Sequence, residues 1–119
     1  MHSKRIVHCD LKPDNILMGI GKQSKVAYLI DYGISNFYID SKGKHMELQT
    51  DCCLIGTVRY ASLYSHQGYE LTRRDDLIAL GYLIYYLLDG HLPWQGEVDP
   101  NSERCRGVGK MKAEFKNEW

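Results

Sequence analysis

Apolar residues fall in short runs along the first third of the chain and in one long run near its middle. Ile6-Val7 is an apolar pair that reads as the end of a strand. Ile16-Leu17-Met18 and residues 26–30 are two strand-like runs. Residues 19–25 join them, and the glycines there suit a hairpin loop. Residues 34–54 are polar with scattered turn formers, which predicts a long surface loop. Residues 62–67 predict a short helix ending at Gly68. Thr72 is a good N-cap, with Asp75 three residues on at the positive end of a helix, and Gly90 is a suitable stop. Residues 77–88 are apolar on every side, so this helix is expected to be buried at the centre of its surroundings. Pro93-Trp94-Gln95-Gly96 predicts a turn, residues 97–101 a polar linker, and 102–119 a mixed-charge helical tail.

Composition narrows the reading. A chain of 119 residues is one domain at most. It can bury roughly two-thirds of its unfolded surface, enough for one modest core. Fifteen basic residues balance 15 acidic ones. Zero net charge argues against general binding to nucleic acid or an anionic membrane. Cys9, Cys52, Cys53 and Cys105 form no CxxC pair and no zinc spacing, which predicts free thiols in a reducing compartment. The N-terminus shows no apolar stretch of the signal-peptide kind. The longest apolar run has 12 residues, too short to span a bilayer. The expected location is cytoplasmic or nuclear.

One run carries chemistry. His8-Cys9-Asp10-Leu11-Lys12-Pro13-Asp14-Asn15 puts an Asp, a Lys and an Asn within six residues, and Asp31-Tyr32-Gly33 follows. Phosphoryl transfer needs a carboxylate facing the acceptor hydroxyl, a cation on the moving group and hard oxygens for magnesium. Taken singly, each residue has a plainer reading. An isolated Asp is usually a solvated turn residue, a histidine after two apolar residues a packed one, and a lone Arg59 a surface charge. Gly19-Ile20-Gly21 lacks the third glycine and following helix of a phosphate-binding loop, so it reads as a turn.

The run resembles the catalytic loop of protein kinases, and Asp31-Tyr32-Gly33 resembles their metal-binding triplet. More specifically, His2-Ser3-Lys4, Gly56-Thr57-Val58-Arg59-Tyr60-Ala61-Ser62, Arg73-Arg74-Asp75-Asp76-Leu77 and Leu92-Pro93-Trp94-Gln95-Gly96 resemble casein kinase I. That family carries such a 56–62 segment where most kinases have Ala-Pro-Glu. The resemblance implies an α+β, protein kinase-like fold, here a part of the mainly helical C-terminal lobe with a short β-hairpin and without the N-terminal lobe. It divides the chain into a catalytic loop at 8–15, a metal-binding triplet at 31–33, an activation and substrate-binding segment at 34–62, a central buried helix at about 73–88 and a divergent tail at 97–119.

It also implies roles. Asp10 would orient the substrate hydroxyl and take its proton, and Lys12 would neutralise the transferred phosphoryl of ATP. Asn15 and Asp31 would hold Mg2+, and Leu17 would lie beneath the adenine. Thr57 would contact the catalytic loop and mark Ser/Thr specificity. Arg59 would sit in an anion site favouring acidic or already phosphorylated protein substrates, since a guanidinium grips phosphate bidentately. Asp76 would anchor the catalytic-loop backbone, and His8 would pack under Tyr32. No nucleic acid or membrane partner is implied.

Two residues depart from the family pattern. Cys9 stands where the family has arginine, so control by loop phosphorylation is not expected. Tyr32 stands for the more usual Phe and adds a hydroxyl that needs a partner. The glycine-rich loop, strand lysine and helix glutamate of a complete kinase are not in this sequence, so the expectation is a truncated gene product without turnover of its own. A non-catalytic module that docks on other kinase chains or competes for their substrates is the alternative. Arg104, Arg106, Lys110 and Lys112 read as a solvated basic face, or else as a supplement to the anion site.

Overall fold

The computed structural model describes residues 1–96 and 104–116. Strand β1 (Ile6–Val7) leads into the 8–15 run. A 3-10 turn at Pro13–Asn15 follows, with proline at its start, where a missing N–H costs nothing. Strands β2 (Ile16–Met18) and β3 (Ala27–Leu29) then pair antiparallel, with Leu17 opposite Tyr28. Between them a 3-10 turn at Gly21–Gln23 reverses the chain, and the Gly19 amide donates to the Val26 carbonyl at 2.9 Å.

The 34–54 stretch is more ordered than a plain surface loop. Strand β4 (Asn36–Phe37) pairs with β1, placing Ile6 opposite Phe37 and Val7 opposite Asn36. Ile39 and His45 form an isolated bridge beyond it. Tyr38 is buried, and its hydroxyl donates to the His2 carbonyl at 2.7 Å. Local pattern does not reveal a two-residue strand whose partner lies thirty positions upstream. From there to α1 the chain has no regular structure.

Helix α1 (Leu63–His66) starts at Ser62, whose Oγ accepts from the Ser65 amide at 3.0 Å. Helix α2 (Arg73–Asp89) starts at Thr72 in a capping box closed by Asp75. Asp75 serves both starts. One of its oxygens accepts from the Ser62 hydroxyl, and the other from the Thr72 amide at 2.8 Å. Gly90 ends α2 with φ 84°, the left-handed conformation that glycine adopts without a Cβ penalty.

Leu11, Val58, Tyr60, Ala79, Leu92, Trp94 and Val108 form the core. Trp94 is fully buried at the 93–96 turn, meets Tyr82 and Phe115 edge to face at 4.8 and 5.5 Å, and donates its indole N–H to the Arg59 carbonyl at 2.7 Å. Phe115 belongs to helix α3 (Arg104–Lys116), which packs on α1. The expected linker at 97–101 and the Arg104 and Arg106 side chains lie outside the described residues.

The expectation of an all-round buried α2 is corrected. One side packs through Ala79, Leu83, Tyr82 and Tyr86. Leu77, Leu80, Ile84, Leu87 and Leu88 form a stripe at helical spacing that is exposed in this chain. Among the described residues no helix is long and apolar enough to cross a membrane.

Candidate active site

The site is assembled on the loop between β1 and β2. Its anchor is Asp76, in the first turn of α2 and almost fully buried. Asp76 accepts from the His8 amide at 2.9 Å, the Cys9 amide at 3.0 Å and the His2 ring at 2.8 Å. A carboxylate paired this fully compensates its burial. It also holds Cys9 in a left-handed conformation with φ 70°, uncommon for a residue with a Cβ. Buried His8 reinforces the turn. The Asp10 amide donates to its Nδ1 at 3.3 Å, which leaves Nε2 protonated to donate to the Ile30 carbonyl at 3.0 Å. The His8 ring also meets Tyr32 edge to face at 5.0 Å.

With the loop so held, three side chains converge. The Thr57 amide and hydroxyl both donate to Asp10 Oδ1, at 2.8 and 2.7 Å. The Lys12 ammonium lies 2.8 Å from Asp10 Oδ2 and donates to the Thr57 hydroxyl at 3.0 Å. Asn15 is buried and donates from Nδ2 to the Asp10 carbonyl at 2.9 Å. Burial pushes the Asp10 carboxyl up, but hydrogen bonds from Lys12 and Thr57 outweigh it and hold the group below the usual carboxylate value. The Asp10 hydrogen bond raises Lys12 in turn, with help from Asp14 and Asp31. The result is an ionised, oriented carboxylate beside a fixed cation. Gly56 permits the approach, because its φ is 78° and a Cβ there would run into the Cys9 carbonyl oxygen.

The hairpin sets the second part. Ile16 pairs with Leu29, and the Ile30 amide donates to the Asn15 carbonyl at 3.0 Å. Asn15 before β2 and Asp31 after β3 therefore sit at the same end of the hairpin. Asp31 is exposed, with φ 61°, and its Oδ1 accepts from the Gly33 amide at 3.2 Å. Its second oxygen and the Asn15 side-chain Oδ1 are hard donors of the kind magnesium takes. Among the described residues no group of three or more His, Cys, Asp and Glu is placed to hold a metal ion. A Mg2+ here would therefore complete its shell with phosphate oxygens and water. Leu17, 52% exposed on β2, presents an apolar surface on the same hairpin.

Arg59 is bonded differently. Its carbonyl accepts from Trp94, and its guanidinium lies beside the Tyr60 hydroxyl. Its Nε is buried and has no hydrogen-bond partner among the described residues.

Sequence reasoning missed Lys112. It is fully buried rather than part of a solvated basic face. Its ammonium donates to the Val58 and Ala61 carbonyls at 2.7 and 2.6 Å and lies 3.2 Å from the His66 ring. Burial lowers its pKa to about 7, and among the described residues it has no carboxylate partner. Lys112 so braces the 57–61 segment from α3. The available signal was faint: Lys112 stands four positions after Val108 and three before Phe115, on the apolar side of α3.

Set beside known families, residues 1–119 match the family model described as protein kinase domain. Mixed helices and small antiparallel sheets are compatible with part of such a domain.

Proposed function

Because the chain belongs to the protein kinase domain family, whose chemistry is phosphotransfer to proteins, we propose that it derives from a serine/threonine kinase of casein kinase I type. On this reading the described residues are part of the large lobe. The substrates are acidic proteins or proteins already phosphorylated near the target residue. The observation that carries the proposal is the closed set Asp10, Lys12 and Thr57, a hydroxyl bridging a carboxylate and an ammonium on one edge.

The proposed division of labour follows the geometry. Asp10, ionised and pinned at Oδ1 by Thr57, would orient the substrate hydroxyl and accept its proton as the bond forms. Lys12 would face the transferred phosphoryl and offset its charge without reorganising. Asn15 and Asp31 would hold Mg2+ with ATP phosphates, and Leu17 would support the base. The metal ion, when bound, supplies charge neutralisation between phosphates. Arg59 would recognise a substrate phosphate or carboxylate with its guanidinium.

A second reading is a binding module that docks on another kinase chain or holds kinase substrates without turning them over. It is favoured by the exposure of Leu17 and Asp31, which leaves the nucleotide side open to water and weakens each electrostatic contact there.

One experiment separates these. The 119-residue chain is incubated with Mg-ATP labelled at the γ-phosphate and three peptides: a serine peptide primed with phosphoserine, its unprimed form, and a tyrosine peptide. Label on serine, strongest with the primed peptide and lost in Asp10→Asn, would establish the first reading and overturn the expectation that the chain has no turnover of its own. Primed-peptide binding that needs Arg59, without label transfer, supports the second. Transfer to tyrosine, or transfer indifferent to Asp10, would overturn the assignment.

A further inference from the structure

Three of the four cysteines meet around one cavity. Cys9 of the 8–15 run lines a space of about 240 Å³ together with Cys52, Cys53, Tyr69 and Glu70. All three are free thiols. Cys9 and the Cys52–Cys53 pair face it from segments that the sequence separates by more than forty residues. Cys9 is held on its side by the Asp76 carboxylate, and its thiol lies 3.7 Å from the Val7 carbonyl. Cys52 is held on the other side, where its amide donates to the Gly68 carbonyl at 2.9 Å and its thiol lies 3.8 Å from the Thr50 carbonyl. Cys53 is exposed and sits in a stretch without regular structure. Three residues on, Gly56 packs against the Cys9 carbonyl and Thr57 bonds Asp10.

We propose that Cys9 and Cys53 form a disulfide across this cavity when the chain meets a peroxide, covalently tying the Asp10 loop to the segment that carries Thr57. The proposal does not depend on whether the chain transfers phosphate.

The chemistry has two steps. The exposed Cys53 thiolate attacks the peroxide, so that an S–O bond forms and the O–O bond breaks. This leaves a sulfenic acid on Cys53 and releases an alcohol, or water from hydrogen peroxide. The Cys9 sulfur then attacks the Cys53 sulfur, the S–S bond forms, and the S–O bond breaks. The departing hydroxide takes the Cys9 proton as water. In sum, two thiols and one peroxide give a disulfide, an alcohol and water. The order of attack follows from the surroundings. Burial, and then the charge of Asp76, pushes the Cys9 thiol up to about 12, so Cys9 is not the thiol that meets the peroxide first. The tie would hold residues 53–57 against residues 9–10 and so keep the Thr57 bonds to Asp10 in place.

The test uses the full chain with Cys105→Ser, treated with equimolar hydrogen peroxide, alkylated in denaturant and digested with trypsin without reduction. The expected product is a loss of about 2 Da from the intact chain, with peptides 6–22 and 45–59 linked through Cys9 and Cys53. Adding Cys53→Ser abolishes the link with an unchanged far-ultraviolet dichroism spectrum, and Cys52→Ser preserves it. A bond between Cys52 and Cys53 within peptide 45–59 would overturn the proposal. So would a link between two chains, or Cys9 recovered fully alkylated.

Discussion

The first turn of α2 buries two carboxylates, Asp75 at 5% exposure and Asp76 at 3%, whereas its last turn leaves Leu87 and Leu88 exposed at 67% and 83%. Charge inside and leucine outside is the reverse of the ordinary pattern. The contrast shows what each end of the helix responds to. At the N-terminal end the partners lie within the chain: Ser62, Thr72, His2 and the amides of His8 and Cys9. Directional bonds to named atoms, aided by the positive end of the helix, make the two carboxylates stable where they are. At the C-terminal end the hydrophobic effect asks only for cover, and any apolar surface would supply it. The polar end therefore organises the candidate site, and the apolar end contributes nothing to it.

The sharpest way to break this contrast is Asp76→Ala. It strands two buried amides and frees the Cys9 turn, and is expected to cost about 3 kcal/mol or more in denaturant unfolding. An unchanged midpoint would mean that the loop does not depend on α2. Next in size is Gly56→Ala, which forces a Cβ into a left-handed position against the Cys9 carbonyl. A loss of about 2 kcal/mol, with loosened Thr57–Asp10 contact visible in amide shifts, is the expected result.

Lys112 offers a buried group of the other kind, without a carboxylate beside it among the described residues. Its pKa falls from 10.5 to about 7 on folding. Above pH 7 the unfolded chain still binds this proton while the folded chain has released it, so this residue makes stability rise with pH. The expected slope is about 1 kcal/mol per pH unit just above neutrality, and it should vanish in Lys112→Met. That variant also leaves the Val58 and Ala61 carbonyls without their donor, so it should be less stable than the parent at pH 9. The smallest effect belongs to the apolar end. Leu87→Lys with Leu88→Lys is expected to shift unfolding by less than about 0.5 kcal/mol, because the side chains already lie in water. A large loss would show that this face is covered in solution.

Much of this was legible in the sequence, for reasons of range. The β2–β3 hairpin, the Thr72 cap and the Gly90 stop are written within a few residues of where they act. The 8–15 run likewise placed Asp10, Lys12 and Asn15 near one another, and Thr57 was reached through the resemblance of its own segment. What was missed depends on distant partners. Asn36 and Phe37 become a strand only because Ile6 and Val7 lie beside them. Lys112 is buried only because the carbonyls of Val58 and Ala61 turn toward α3, and no local pattern in a basic tail shows that. The all-apolar run in α2 correctly marked a helix, but hydrophobicity alone did not say which side this chain would cover.

The central claim is that the carboxylates of Asp76 and Asp10 lock the 8–10 turn and Thr57 into one rigid unit. Native-state hydrogen exchange tests it residue by residue. The account predicts that the amides of His8, Cys9 and Thr57 exchange only with global unfolding, with protection matching the core of α2. Exchange of these three amides as fast as that of residues 47–50 would contradict it, because the site would then be a loose loop.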